Sequence, residues 1–176
     1  MFIRYQPKSS PRKSIRSHTI TIFFEDFEVG SRSTPNQSYR FTAEEIISFA
    51  KKWDPMPFHI DEAAAKASPL GSLFASSTHV IAAAIKLSHN SLDEEFAAVA
   101  GLGWDNVRFL SPVLAGDELR IITDVIDKRE SNSKPDRGVV TLGFSLINQR
   151  DQTALTFTLS TLVLKKKGFK GTEVLK

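Results

Sequence analysis

An acid and an imidazole lie in a helix-breaking segment of the chain, KKWDPMPFHIDEAAA (residues 51–65). Asp54 precedes His59 by five residues, and two prolines interrupt the helical pattern around them. Imidazole titrates near neutral pH and a carboxylate can orient or deprotonate water, so the two groups together suit general acid–base catalysis. We expect a stiff, proline-containing loop to present both side chains to one water molecule.

The same residues also have a structural and a metal-binding interpretation. In the structural one, Asp54 accepts hydrogen bonds from loop amides and His59 is a satisfied, partly buried polar residue. In the metal-binding interpretation, His59 and Asp61 would bind a metal ion. A transition-metal site usually needs three or four protein ligands, however, and the other histidines are not at ligand spacing. Asp61 precedes a short helical run, which favours a role as helix N-cap. Spacing alone favours the structural interpretation of Asp54 and His59.

Three helical segments surround this loop. Residues 41–53 and 61–67 have helical patterns, and residues 73–88 are the most apolar helical candidate. That segment carries no charge from Leu73 to Ile85. Because a helix that is apolar nearly all round is normally buried, we expect it in the core.

Strand patterns dominate the second half of the chain. TITIFF (19–24) predicts one early strand, and four further candidates follow from about residue 97, separated by proline, glycine and asparagine turn signals. Helices in one half and strands in the other indicate an α+β protein with an antiparallel sheet packed on the apolar helix.

The composition suits one cytoplasmic domain. A chain of 176 residues has the length of a single domain. It contains no cysteine, which removes disulfides, thiolate nucleophiles and cysteine metal sites together. No apolar run approaches the ~18–20 residues that span a bilayer, and the N-terminus lacks the apolar region of a secretory signal.

Positive charge is concentrated at the two ends of the chain. The first 19 residues carry +5 and residues 165–176 carry +4, so the total of +3 leaves −6 for residues 20–164. We therefore expect solvated basic tails, with contact to acidic groups such as phosphates as the alternative. The predicted organisation is a basic flexible arm (1–18), one folded domain (19–165) and a basic C-terminal tail (166–176).

Two segments resemble signatures of the MaoC-like dehydratases, also called R-specific enoyl-CoA hydratases. WDPMPFHIDEAAAKASPLGSLFAS (53–76) is similar to the D-x-x-P-x-H-x-D segment of that family and to the FGGLIASG run that follows it. WDNVRFLSPVLAGDELRI (104–121) resembles the second signature, an aromatic-rich strand followed by P-V-x-x-G-D-x-L. The resemblance covers roughly residues 24–165. It implies a hot-dog fold, in which a curved antiparallel sheet wraps around a long central helix, here residues 75–90.

The resemblance also implies an activity, the reversible hydration of a trans-2-enoyl-CoA to an (R)-3-hydroxyacyl-CoA. Asp54 and His59 match the catalytic pair, with Asp54 favoured as the base for water and His59 as the proton donor to C2. The family stabilises the thioester oxygen with a glycine amide, and the matching residue here is Ser77. The reaction needs no metal or redox cofactor, because coenzyme A is part of the substrate.

Three residues in this segment, Ser76, Ser77 and His79, have structural alternatives. Ser76 and Ser77 both suit helix N-capping. His79 aligns with a histidine that is common in one subgroup of the family. Since it lies on a predicted core helix, we expect His79 to be packed and hydrogen-bonded.

Two other functions and a set of partners complete the expectations. A hot-dog thioesterase usually needs a differently placed carboxylate, so the spacing of Asp54 and His59 counts against it. An acyl-CoA-binding protein without turnover is favoured by Ser77 in place of the family glycine.

The expected partners are an acyl-CoA thioester and further copies of this chain, but neither nucleic acid nor a membrane. A lone hot-dog domain would expose an edge strand and one flank of its helix, so we expect a homodimer or a higher homo-oligomer.

Overall fold

The computed structural model describes residues 20–34, 36–90 and 94–168 of the chain. The predicted basic arm (1–18) and most of the predicted C-terminal tail (166–176) lie outside the described residues. The helices are α1 (Ala43–Trp53), α2 (Pro57–Ile60), α3 (Glu62–Ala67) and α4 (Ser77–Asn90). The strands are β1 (Ile20–Ile22), β2 (Arg32–Ser33), β3 (Ser38–Arg40), β4 (Glu94–Phe96), β5 (Ala98–Phe109), β6 (Glu118–Glu130), β7 (Arg137–Asn148) and β8 (Thr153–Leu164). Within the described ranges, no helix combines the length and the apolarity needed to cross a bilayer.

The main sheet has six strands and confirms the predicted α+β class. Its order is β2-β6-β7-β8-β5, with antiparallel pairing throughout, and β3 also pairs with β6. Register shifts interrupt the β5–β8 and β6–β7 pairings, and such bulges bend a sheet. The predicted early strand is β1, which pairs in parallel with β4 in a separate two-stranded sheet.

The central helix begins later than the sequence pattern predicts. It ends at Asn90, as the resemblance implied, but begins at Ser77 rather than at residue 73 or 75. Phe74 forms an isolated antiparallel bridge with Leu114, and the backbone before the helix is therefore extended. This extended stretch becomes important for the candidate active site.

Only one face of α4 is buried. The buried residues recur at helical spacing and pack into the core beneath the sheet: Val80, Ala83, Ala84 and Leu87. The opposite face is exposed at Ala82 and Lys86. The prediction that this helix is buried nearly all round is therefore wrong for one face, because the sheet of a single chain covers only one side of it.

The segment between α1 and α3 is more ordered than the predicted loop. Pro57 begins α2, where its fixed φ and missing N–H fit the first helical position. The N–H of His59 donates to the Met56 carbonyl at 2.8 Å. His59 is therefore held on a short helix, while Asp54 lies at the end of the preceding one.

Candidate active site

Asp54 is the C-cap of α1. Its N–H donates to the Ala50 carbonyl at 2.8 Å, and Pro55 prevents the helix from continuing. The side chain is 34% exposed, and its carboxylate accepts no hydrogen bond from the residues that the structure describes. The interpretation in which Asp54 binds loop amides therefore finds no support, and the carboxylate is available to water or a ligand.

His59 is buried and held by a backbone carbonyl. Its Nδ1 lies 2.9 Å from the Phe74 carbonyl oxygen, and only 5% of the residue is exposed. Because a carbonyl can only accept, Nδ1 carries the hydrogen and donates. The rings of Phe58 and Phe74 contact the imidazole edge-on, each with its centroid 4.6 Å away. Nδ1 thus fixes the orientation of the ring, and Nε2 remains available for proton transfer.

The structure brings Asp54 and His59 together. Nε2 of His59 lies 3.9 Å from Oδ2 of Asp54. This distance is too long for a direct hydrogen bond, but it allows one water molecule to contact both groups. The pair can therefore exchange protons with a water that enters from the exposed side of Asp54.

Ser77 is the first residue of α4 and is exposed. The helix is capped by its neighbour, since the Ser76 Oγ accepts from the His79 N–H at 3.3 Å. The Ser77 N–H has no acceptor among the described residues, and its φ is not positive, so the backbone does not require the family glycine.

No hydrogen bond joins Ser77 to Asp54 or His59 among the described residues. Ser77 lines a neighbouring cavity of about 240 Å³ together with Phe74. The link between Ser77 and His59 is therefore the extended backbone at Phe74, whose carbonyl orients the imidazole three residues before α4 begins.

His79 is packed as predicted but not hydrogen-bonded as predicted. It is 2% exposed, and neither ring nitrogen has a partner among the described residues. Its ring stacks on Phe49 with the centroids 4.3 Å apart and also contacts Phe41 at 4.8 Å. Burial lowers the pKa of His79, and the charge of Glu45 opposes that shift. The Phe41 and Phe49 rings that contact His79 carry no hydrogen-bonding side-chain atoms, in line with the missing hydrogen bond.

Asp61 is a helix cap, as predicted. Its Oδ1 accepts from the Ala64 N–H at 2.7 Å at the start of α3. Across the described ranges, no group of three or more metal-binding side chains occurs. The carboxylate of Asp61 is therefore engaged in local structure.

One feature of the site and one cavity elsewhere in the fold were not predicted from the sequence. Phe74 acts through its carbonyl oxygen, a group that every residue has, so no side-chain signal could have found it. A cavity of about 310 Å³ lies between α4 and the sheet, lined mainly by apolar side chains that include Ile85, Val125, Phe144 and Leu159. The alternation of apolar residues along β6–β8 indicated an apolar face but not a space within it.

Comparisons with known proteins identify a matching family and similar structures. Residues 26–145 match the family model for the MaoC like domain, a range that includes both sequence signatures. A MaoC-like dehydratase from Rhodospirillum rubrum has a solved structure that is 34% identical, with a TM-score of 0.76 over 82% of this chain and 98% of that one. The uncharacterized protein YdeM of Bacillus subtilis is 28% identical over 142 residues, which cover 79% of this chain and 96% of YdeM.

A third relative concerns the fold alone. A Mycobacterium tuberculosis protein with a double hotdog fold superimposes with a TM-score of 0.69, at 19% identity, over 85% of this chain and 46% of that one. The predicted hot-dog architecture is thereby confirmed.

Proposed function

The chain belongs to the MaoC-like dehydratase family, whose members bind acyl thioesters, and we propose that it is a hydro-lyase that reversibly hydrates a trans-2-enoyl-CoA to an (R)-3-hydroxyacyl-CoA. In this proposal Asp54 and His59 activate water, and the Ser77 amide stabilises the thioester oxygen. Coenzyme A enters only as part of the substrate.

The geometry of the acid–imidazole pair is the observation that carries the proposal. Asp54 is partly exposed and free of other hydrogen bonds from described residues, whereas His59 is buried with one nitrogen fixed by Phe74. Nε2 and the carboxylate lie 3.9 Å apart, close enough to share one water. A merely structural histidine would not need a free carboxylate opposite its second nitrogen.

The proton transfers balance within this pair. Asp54 takes a proton from water as the water oxygen attacks C3, and protonated His59 donates from Nε2 to C2. Asp54 is then protonated and His59 is neutral, and a proton that passes from the carboxyl group to Nε2 restores both. The Phe74 carbonyl accepts from Nδ1 throughout, so the ring keeps its orientation during the cycle.

Charge that develops on the thioester oxygen needs a hydrogen-bond donor. The Ser77 N–H lies at the N-terminus of a helix of 14 residues, where the helix dipole favours an anion. Its missing protein acceptor and its ordinary φ support this role. They also weaken the case for a binding protein without turnover, which depended on the loss of the family glycine.

The cavity between α4 and the sheet suits the acyl tail. Ile85 lines it, and the helical rise places Ile85 about 12 Å along α4 from Ser77. A four-carbon crotonyl group cannot span that distance from a thioester bound at Ser77. We therefore expect chains longer than crotonyl to be preferred.

We also propose that the chain acts as a homodimer or a higher homo-oligomer. β5 ends the main sheet, and its outer edge pairs with no strand among the described residues. Large apolar residues along this segment are exposed: Val99, Leu102, Trp104, Phe109 and Leu110. An unpaired apolar edge of this length favours aggregation unless another chain covers it. A solution mass of 19.6 kDa at micromolar concentration, measured by light scattering, would contradict this proposal.

A direct assay tests the activity. Enoyl-CoAs of four to twelve carbons are incubated with the full chain, and loss of enoyl-thioester absorbance and the chirality of the product are measured. Hydration that gives the (R)-alcohol, and that Asp54→Asn removes while the exposed control Asp127→Asn retains it, is the expected result. Release of free thiol without 3-hydroxyacyl product would identify a thioesterase instead.

A further inference from the structure

Trp53 is exposed directly beside the candidate active site. It is the last residue of α1, precedes Asp54, and exposes 63% of its surface. Met56, in the break between α1 and α2, exposes 45%. Tryptophan is usually well buried, and exposed tryptophan is enriched where a protein binds a partner that is apolar on one side. An apolar rim therefore borders the exposed side of Asp54.

Two lysines extend this rim. Lys51 and Lys52 lie in the last turn of α1, are exposed, and form no ion pair with any described residue. The Lys52 Nζ lies 5.1 Å from the centre of the Trp53 ring. Lys51 and Lys52 are thus close to Asp54 along the chain, and the Lys52 ammonium group lies over the indole beside the acid.

These lysines lie on a part of the chain whose net charge is negative. Residues 20–164 carry a net charge of −6, so the folded body as a whole repels anions. Several other cations of the described surface are neutralised by carboxylates, as in Arg32–Asp124, Arg120–Asp151 and Lys165–Glu130. Two unpaired ammonium groups beside a catalytic carboxylate form a local site for an anion.

We propose that Trp53, Lys51 and Lys52 bind the phosphopantetheine arm of the substrate. The arm joins the thioester to a phosphate through methylenes, two amides and a dimethyl-substituted carbon. The indole would pack against the apolar part of the arm, and the lysines would bind its phosphate as point charges. This inference rests on the proposed function, because it places the thioester itself at Asp54 and His59.

Coenzyme A and acyl carrier proteins both carry this arm, so the same contacts would serve either source. The site recognises the chemistry that they share. Substrates that differ only beyond the first phosphate therefore distinguish the source, and a thioester without phosphate tests the site itself.

Kinetics on three forms of one enoyl group test the site in the full chain. The enoyl chain that the wild type hydrates best is presented on coenzyme A, on a carrier protein and on N-acetylcysteamine, which has no phosphate. The double variant Lys51→Ala/Lys52→Ala should raise KM about fivefold to tenfold for a phosphate-bearing form, with kcat unchanged. The rise should shrink at high salt, because exposed charges are screened. KM for the N-acetylcysteamine thioester should not change, and the exposed controls Lys134→Ala and Val29→Ala should leave all KM values unchanged.

The substrate form affected by the double variant identifies the natural source. An effect on the coenzyme A form assigns the site to coenzyme A, and an effect on the carrier-protein form alone assigns it to a carrier protein. Unchanged KM values for both forms, in a variant that hydrates normally, overturn the proposal.

A binding measurement separates this inference from the proposed function. The chain contains two tryptophans, so Trp104→Phe leaves Trp53 as the only indole. Coenzyme A should change the Trp53 fluorescence at a concentration at least fivefold lower than pantetheine does, and Lys51→Ala/Lys52→Ala should remove that difference. Fluorescence changes without any hydration support the arm site and overturn the hydratase. Hydration with blue-shifted Trp53 emission that coenzyme A does not alter overturns the arm site, and indicates that a second copy of the chain covers the indole.

Discussion

His59 and His79 are both buried beside the start of α4, yet their surroundings differ in kind. His59 donates from Nδ1 to the Phe74 carbonyl and turns Nε2 toward the partly exposed Asp54. His79 stacks on Phe49, and neither of its nitrogens has a hydrogen-bond partner among the described residues. Burial therefore does not distinguish the histidine that we propose as catalytic from a packed one. The difference lies in a fixed first nitrogen and a second nitrogen that faces a free carboxylate.

The surroundings of His79 also bear on the stability of the protein. Burial lowers the pKa of His79, which favours the neutral form of that ring. Stacking on Phe49 offsets part of the cost of its unpaired nitrogens, since an aromatic pair contributes about 0.5–1.5 kcal/mol. We expect variants of the two histidines to separate activity from stability.

The largest expected effect comes from breaking the Asp54–His59 pair. Asp54→Asn and His59→Gln should each lower kcat for enoyl-CoA hydration by roughly 10²–10⁴-fold, because each removes a group that moves a proton. KM should change little, and the double variant should be little worse than the poorer single one, since the two groups act on one water. The matched variant His79→Gln should keep kcat. Wild-type turnover in Asp54→Asn would refute the mechanism.

Melting curves on the same variants show whether activity is lost through unfolding. Asp54→Asn should cost less than ~1 kcal/mol of stability, because its side chain is partly exposed. His59→Gln should cost about 1–3 kcal/mol, because His59 is buried and hydrogen-bonded. Loss of hydration in folded Asp54→Asn therefore cannot be assigned to instability.

Ser77 follows Phe74, whose carbonyl holds His59, and precedes His79 in α4. The second largest loss of activity is expected from removal of the Ser77 amide N–H. Ser77→Pro removes the N–H and should lower kcat by ~10²–10³-fold, the usual effect of deleting one oxyanion donor. Proline is tolerated in the first helical turn, so we expect the variant to fold. Ser77→Gly keeps the amide and should keep or raise activity. A folded proline variant with full activity, checked by circular dichroism, would remove Ser77 from the mechanism.

A smaller effect, a gain in stability without a loss of activity, is expected from replacing His79. Phenylalanine has a similar shape and no polar nitrogen, so His79→Phe relieves two buried unpaired atoms. We expect the free energy of unfolding to rise by about 1 kcal/mol, with kcat unchanged. Urea denaturation and a hydration assay on the same preparation measure both quantities. A fall of kcat by tenfold or more in a stable variant would make His79 part of the catalytic machinery.

The smallest expected effect is a change in the way that folding stability depends on pH. Burial lowers the pKa of His79 in the folded state below the ordinary histidine value of about 6.5, so the unfolded chain binds that proton more readily. The stability that His79 contributes is therefore present above pH 6.5 and is lost as the pH falls toward the folded pKa. The wild type should lose more stability than His79→Phe between pH 7 and pH 5. Parallel melting temperatures of the two proteins across this range would exclude His79 as the cause.

Much of the fold was predictable because its signals are local. Alternating apolar residues predicted the four long strands, and Asp61 was correctly identified as a cap from the short helix that follows it. The start of α4 was predicted too early, because Phe74 has a helical neighbourhood in sequence but pairs with Leu114 across the fold. A local sequence pattern does not indicate β-bridge pairing with a residue forty positions away.

The sequence by itself determined the α+β class, the early strand, the four long strands and the residue types of the candidate site. Asp54 and His59 were found because two prolines and a family signature mark their segment. Only the tertiary structure decided how that pair is held. The carbonyl of Phe74 orients His59, whereas His79 packs among aromatic rings and has no hydrogen-bond partner among the described residues. Both outcomes depend on which backbone and side-chain atoms meet when α1, α2 and α4 pack together, and no spacing along the chain encodes such contacts.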